Sequence, residues 1–205
     1  MLTIAIRGEE PFGQSAEYNA RQGNDMANVQ TAPITFDDFM RLPDPVSGHL
    51  ELHKGEVVTV PPRTYFHARL QYVLSWLIHP RLQGKGIVII ELPFRTPGNE
   101  TWQADLGIVI DEQSRQVEPY LVGAPDWVIE VLSPSNTVSE MNQKIDVCVK
   151  NGCSCFWVVD PTRQTVSVTG RQKEAGSYVV RQFGVLDTLP LPFPFEGTIG
   201  VAAIF

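Results

Sequence analysis

Apolar residues along this chain change their period several times, and each change marks an element. Residues 1–33 show no sustained period and are rich in Gly, Asn, Gln and Glu, which predicts a flexible leader followed by a single domain over 34–205. Thr35-Phe36-Asp37-Asp38 has the form of a capping box with Asp in place of Glu, and it predicts a short helix ending by Leu42-Pro43. Residues 50–60 read as two short strands turning at Lys54-Gly55. Over 64–82, Phe66, Leu70, Val73, Leu74, Leu77 and Ile78 recur at helical spacing, and Gly84-Lys85-Gly86 stops that helix. Three apolar runs follow, at 87–94, 104–110 and 127–132. A second long helix is predicted from about 136 to 150, stopping at Asn151-Gly152, and a strand over 155–159 closes at Asp160-Pro161. The order is helix, strand, strand, strand, helix, strand, which is an α/β (α+β) pattern. Weaker alternation at 165–169 and 178–183 adds a hairpin, and the Pro-rich run 189–195 leads to a short last strand.

One charge breaks this pattern. In Pro125-Asp126-Trp127-Val128-Ile129-Glu130-Val131-Leu132-Ser133-Pro134-Ser135, Glu130 lies inside an apolar run. Alternation puts Asp126, Val128, Glu130 and Leu132 on one face and Trp127, Ile129 and Val131 on the other, so the strand is expected to be covered on both sides. An unpaired carboxylate there costs several kcal/mol, so Glu130 must be protonated, paired or bound to a metal. Ser-Pro-Ser ends the strand just beyond it, near the carboxyl end, where open sheets place their ligand sites.

Asp105 opens the strand over 104–110. Neighbouring strands lie about 4.8 Å apart, so Asp105 and Glu130 at matching heights on one face would converge on one cation. A hard ion such as Mg²⁺ takes one or two protein carboxylates and fills its remaining positions with water and substrate phosphate, a site suited to phosphodiester hydrolysis. Lys144, on the helix after Glu130, either joins these acids or forms an i,i+4 surface pair with Glu140. Glu51 is either a third acid at the metal or an exposed hairpin residue. His67 either contacts the substrate or is a solvated or core-edge histidine, and Gln103 either orients a water near Asp105 or is a strand-edge amide.

Other chemistries lose support. Of the remaining histidines, His49 and His53 stand four apart but at the predicted hairpin and not on a helix, no dinucleotide or P-loop glycine pattern occurs, and Ser133 and Ser135 lack the glycines of a nucleophile elbow. Cys148, Cys153 and Cys155 are odd in number and form no zinc pattern, which fits reduced core thiols in a cytoplasmic protein. No apolar run approaches the ~20 residues of a membrane helix, and no secretory leader opens the chain, so no membrane association is expected. A net charge of −7 argues against general polyanion binding, although an acidic metal site contributes negative charge of its own.

Glu51-Leu52-His53-Lys54-Gly55-Glu56, Asp105, the segment from Pro125 to Ser135, Lys144, and Phe156-Trp157-Val158-Val159-Asp160-Pro161 together resemble the Uma-type family of restriction-endonuclease-like proteins, a branch of the PD-(D/E)XK nucleases. The likeness spans 35–168. It implies a restriction-endonuclease-like core, a central mixed sheet flanked by helices with added β-hairpins. It further implies a Mg²⁺ or Mn²⁺ site built on Asp105 and Glu130, with DNA as substrate and a homodimer for which the added hairpin is a candidate contact. The superfamily's lysine stands two residues after the second acid, where this chain has Leu132; Lys144 matches the relocated lysine of the Uma-type branch, and Glu51 matches its early acid. Ala104 replaces the proline before the first acid, and Cys148 replaces an aromatic residue. The rival expectation is a noncatalytic interaction module that retains the fold.

Overall fold

The computed structural model describes residues 33–134, 136–171 and 178–205. Apart from Pro33, the expected leader lies outside the described residues, as does Ser135. Thr35 caps helix α1 (Phe36–Phe39) through the predicted reciprocal box with Asp38. Strands β1 (His49–His53) and β2 (Glu56–Val60) form the first hairpin, turning through Lys54 and Gly55 at φ 53° and 84°. A tight hairpin turn uses two successive positive φ values, which glycine adopts without strain, and a Cβ on Gly55 would overlap Pro33.

Helix α2 (Tyr65–Ile78) starts from the Thr64 cap and tightens into a 3-10 turn at His79–Leu82, where Pro80 has no amide to continue the α-helical ladder. Strands β3 (Gly86–Thr96) and β4 (Glu100–Ile110) pair antiparallel along nearly their whole length. Two strands without a predicted counterpart follow, β5 (Val117–Glu118) and β6 (Tyr120–Val122), and β6 joins β3 in parallel. Strand β7 (Trp127–Val131), helix α3 (Val138–Lys150) and strand β8 (Cys155–Asp160) form a β-α-β unit with β7 and β8 parallel. The predicted hairpin is β9 (Thr165–Arg171) and β10 (Tyr178–Phe183), and β11 (Thr188–Pro190) pairs with β12 (Thr198–Gly200) beside the main sheet.

The sheet runs β10-β9-β8-β7-β4-β3-β6-β5, with β1 attached to β4 and β2 to β1. Its mixed character and central β7 agree with the expected α+β architecture. Trp127, Ile129 and Val131 pack with Leu70, Leu74 and Leu77 of α2, while Val128 and Leu132 pack in a second cluster with Met141 and Cys148 of α3. Strand β7 is thus apolar on both faces because a helix covers each one. The three cysteines are free and buried; burial pushes Cys153 and Cys155 up to about 12 and Cys148 well above its ordinary value, so they act as packing thiols. At Gly107 the packing closes completely, since a Cβ would overlap the Leu92 side chain and lie 3.0 Å from Pro125 Cγ.

One interruption positions the site. Strands β4 and β7 pair at Leu106–Ile129, Gly107–Val128 and Ile108–Trp127 and then part. Continued in register, the next pair would be Asp105 and Glu130. The β3–β4 ladder skips Asp105 too, opposite Glu91, whose φ is 54°.

Candidate active site at a fork in the sheet

Where the ladder between β4 and β7 stops, carboxylates replace it. Asp105 N donates to Glu130 Oε1 at 3.2 Å, and Val131 N donates to Asp105 Oδ2 at 2.8 Å. Each acid takes a backbone N–H of the other strand, so amides that lose sheet partners stay satisfied and each buried charge gains a donor. The two acids share a height, as expected, but not one face: Asp105 is held from α2 and Glu130 from α3.

Asp105 is enclosed by donors. Arg63 Nη2 lies 2.9 Å from Oδ1, Gln71 Nε2 donates to the same oxygen at 3.4 Å, and His67 Nε2 lies 3.0 Å from Oδ2. His67 Nε2 is also 3.1 Å from Val131 O; facing two acceptors, it carries the proton. Burial would raise the Asp105 carboxyl, but the hydrogen bond from His67 and the charges of Arg63 and Lys144 outweigh it and hold it below the usual range.

Glu130 is compensated less fully. Lys144 Nζ lies 2.8 Å from Oε1 and donates to Gln103 O at 2.7 Å. Burial, reinforced by Asp105 and opposed by Lys144, pushes the Glu130 carboxyl up to about 7. Burial also works against the Lys144 ammonium, yet Glu130, Glu51 and Asp105 together keep it above its ordinary value. The surface pair between Lys144 and Glu140 does not form. Glu140 closes a capping box with Thr137, while Lys144 shares the buried stripe of α3 with Met141 and Cys148.

Glu51 is buried in β1, not exposed on the hairpin. His53 Nε2 and His49 Nε2 lie 2.9 and 3.4 Å from its carboxylate, and Gln103 N donates to it at 2.9 Å. Burial raises this carboxyl, but the two imidazole hydrogen bonds, Lys144 and the Gln103 amide hold it well below its ordinary value. Gln103 therefore connects Glu51 to Lys144 through its backbone N–H and C=O. Its side chain makes no hydrogen bond among the described residues, so only its backbone is placed in the site by protein contacts. Of the expected residues, the fork gathers Asp105, Glu130, Lys144 and His67, and the Gln103 backbone joins Glu51 to them.

Sequence reasoning missed Arg63, Gln71, His49 and His53. Two of these signals were legible. Gln71 stands one helical turn after His67 on the otherwise apolar stripe of α2, and His49, Glu51 and His53 alternate onto one face of β1. Arg63 lies before the α2 cap, where no period says which way a side chain turns.

A hard divalent cation fits this donor set. Apart from His67 Nε2, whose proton faces two acceptors, the fork offers oxygens, from Asp105, Glu130 and the Val131 carbonyl, and Glu130 Oε2 enters no hydrogen bond among the described residues. The raised Glu130 carboxyl marks an anion that its neighbours leave under-compensated. Among the described residues no three His, Cys, Asp or Glu side chains gather as a metal cluster. Two carboxylates suffice for an ion that keeps waters and takes substrate phosphate. His67 Nε2 already bridges Asp105 Oδ2 and Val131 O, two of the oxygens that such a cation would draw on.

Comparison with known proteins agrees with this architecture. The Uma2 model, described as "Putative restriction endonuclease", matches residues 36–202. Among solved structures, the chain is similar to "a putative nuclease belonging to DUF820" from Anabaena variabilis. The two are 25% identical, with 84% of this chain and 98% of that chain covered and a TM-score of 0.70. No curated protein matches.

Proposed function

We propose, from the premise that this chain belongs to the Uma2 family of restriction-endonuclease-like proteins, that it hydrolyses phosphodiester bonds in DNA with a divalent cation, Mg²⁺ or Mn²⁺, in the cytoplasm. The observation that carries this reading is the buried set in which Glu130 Oε1 meets both the Asp105 amide and the Lys144 amine. Asp105 and Glu130 would hold the cation. Bound there, it would polarise the phosphoryl group and lower the pKa of an attacking water.

The chain's own residues supply the rest. Lys144 spends two of its three N–H groups on Glu130 and Gln103, leaving one to orient water or meet a phosphate oxygen. It reaches from α3 the acid that the superfamily's lysine, absent at Leu132, would reach from the strand. Glu51 keeps Lys144 charged, and His67 orients the Asp105 carboxylate. Purified protein incubated with DNA and Mn²⁺ should cleave it, and Asp105→Ala should not. Equal cleavage by both would assign the activity to a contaminant and end this reading.

One observation favours a second reading, a noncatalytic interaction module: both Asp105 oxygens are already engaged by Arg63, Gln71, His67 and the Val131 amide. It predicts no metal-dependent turnover on DNA or RNA of any form.

A further inference from the structure

The face of α2 opposite the sheet carries large aromatic residues. Tyr65, Phe66, Tyr72 and Trp76 are 75%, 74%, 64% and 66% exposed. Tyr65, Arg69, Tyr72 and Trp76 recur at i, i+4, i+7 and i+11, so they form one stripe about 16 Å long, opposite buried Leu70, Leu74 and Leu77. Phe66 meets Tyr65 edge to face at 5.6 Å beside the amino end of the stripe. At the other end, Tyr72, Ser75, Trp76, His79 and Pro80 border a shallow groove. Scattered single hydrophobes on a surface need no explanation, but a continuous aromatic stripe does.

Charge says what it receives. The chain carries a net −7, yet no Asp or Glu occurs anywhere in residues 57–90, which hold Arg63, Arg69, Arg81 and Lys85. Arg69 lies within the stripe, where Nη1 also donates to Phe205 O at 3.4 Å, and Arg81 sits just past its end. With Arg69 among the rings and no acid in this stretch to oppose it, a polyanion with flat bases suits both features. The stripe begins next to the fork: Arg63, two residues before Tyr65, reaches Asp105, and its buried Nε has no acceptor among the described residues.

We propose that the outer face of α2 is a stacking track for an unpaired nucleic-acid strand, with bases on Tyr65, Tyr72 and Trp76 and phosphates on Arg69 and Arg63. The choice of a nucleic acid rests on the nuclease reading, but binding to the track requires no cleavage. Bases inside a duplex are already stacked on one another, so the track selects strands whose bases are free.

The test is fluorescence anisotropy of a labelled oligothymidylate with the full chain in EDTA, where no metal-dependent cleavage intervenes. Binding should be at least about 10-fold tighter than to a duplex of the same length. It should fall about 10-fold or more in Tyr72→Ala/Trp76→Ala, as expected for lost base stacking, and survive in Tyr72→Phe/Trp76→Phe, which keeps aromatic faces. All these side chains are exposed, so the variants should fold, as far-ultraviolet circular dichroism would verify. Duplex binding equal to or tighter than single-strand binding, or an alanine pair that binds like wild type, overturns the proposal. So does a dimer in sedimentation velocity that needs Trp76 and excludes the oligonucleotide, which would assign the face to a second copy. Failure of the nuclease reading appears elsewhere, as absent Mn²⁺-dependent cleavage with this binding intact.

Discussion

Replacing Glu130 by Gln removes the one charge in the fork whose compensation is incomplete, and the effect should be visible in stability as a function of pH. The carboxyl has an ordinary value of 4.5 and a folded value of about 7, so the folded chain binds its proton more tightly than the unfolded chain. Below about 4.5 the group is protonated in both states and adds no pH dependence. Between 4.5 and 7 only the folded chain holds the proton, so stability falls as pH rises, and above 7 the loss is complete. At about 1.4 kcal/mol per pH unit, the wild type forfeits about 3 kcal/mol across this window. Gln cannot titrate, and Lys144 keeps Glu51, Asp105 and the Gln103 carbonyl, so the variant carries a constant offset without this slope. The lowered carboxyls of Asp105 and Glu51 lose their contribution only as pH falls below their ordinary values, outside the window. Urea unfolding followed by tryptophan fluorescence, in EDTA from about pH 5 to about pH 8, measures the difference. It should grow by about 3 kcal/mol in the variant's favour. Parallel profiles would refute the reasoning, because Lys144 at 2.8 Å would then be holding Glu130 ionised throughout.

Three further outcomes are expected. Asp105→Asn keeps shape but turns an amide donor toward either Arg63 and Gln71 or His67 and Val131 N, so it should cost about 3 kcal/mol from two deprived donors; an unchanged urea midpoint at neutral pH would contradict that enclosure. Lys144→Met should abolish Mn²⁺-dependent cleavage, and Leu132→Lys in the same chain should restore part of it by approaching Glu130 from the strand. No recovery would mean that the amine must come from α3. Gly107→Ala forces Leu92 and Pro125 aside and should lower stability by about 1–3 kcal/mol in the same unfolding assay, whereas a neutral result would show that the packing there can yield.

What the sequence determined by itself was local. The capping box at Thr35, the turn at Lys54-Gly55, the helical period of α2 and the two-sided apolar alternation of β7 each depend on residues a few positions apart, and the structure has them all. Strands β5 and β6 are two and three residues long, too short to establish a period. Glu130 could be recognised as a costly charge without its partner being named, because desolvation is a property of the strand and pairing is a property of what packs on it. Lys144 showed the limit most clearly. An i,i+4 surface pair with Glu140 and an inward ion pair with Glu130 are equally compatible with the spacing, and only the packing of α3, with Met141 and Cys148 turned to the sheet, decides between them. The fork lay beyond sequence altogether. It exists because the pairing of β4 with β7 stops after Leu106 and Ile129, leaving backbone amides that carboxylates from the opposite strands then occupy. Where a ladder ends is set by the twist and packing of the whole sheet, and those forces act between residues far apart along the chain.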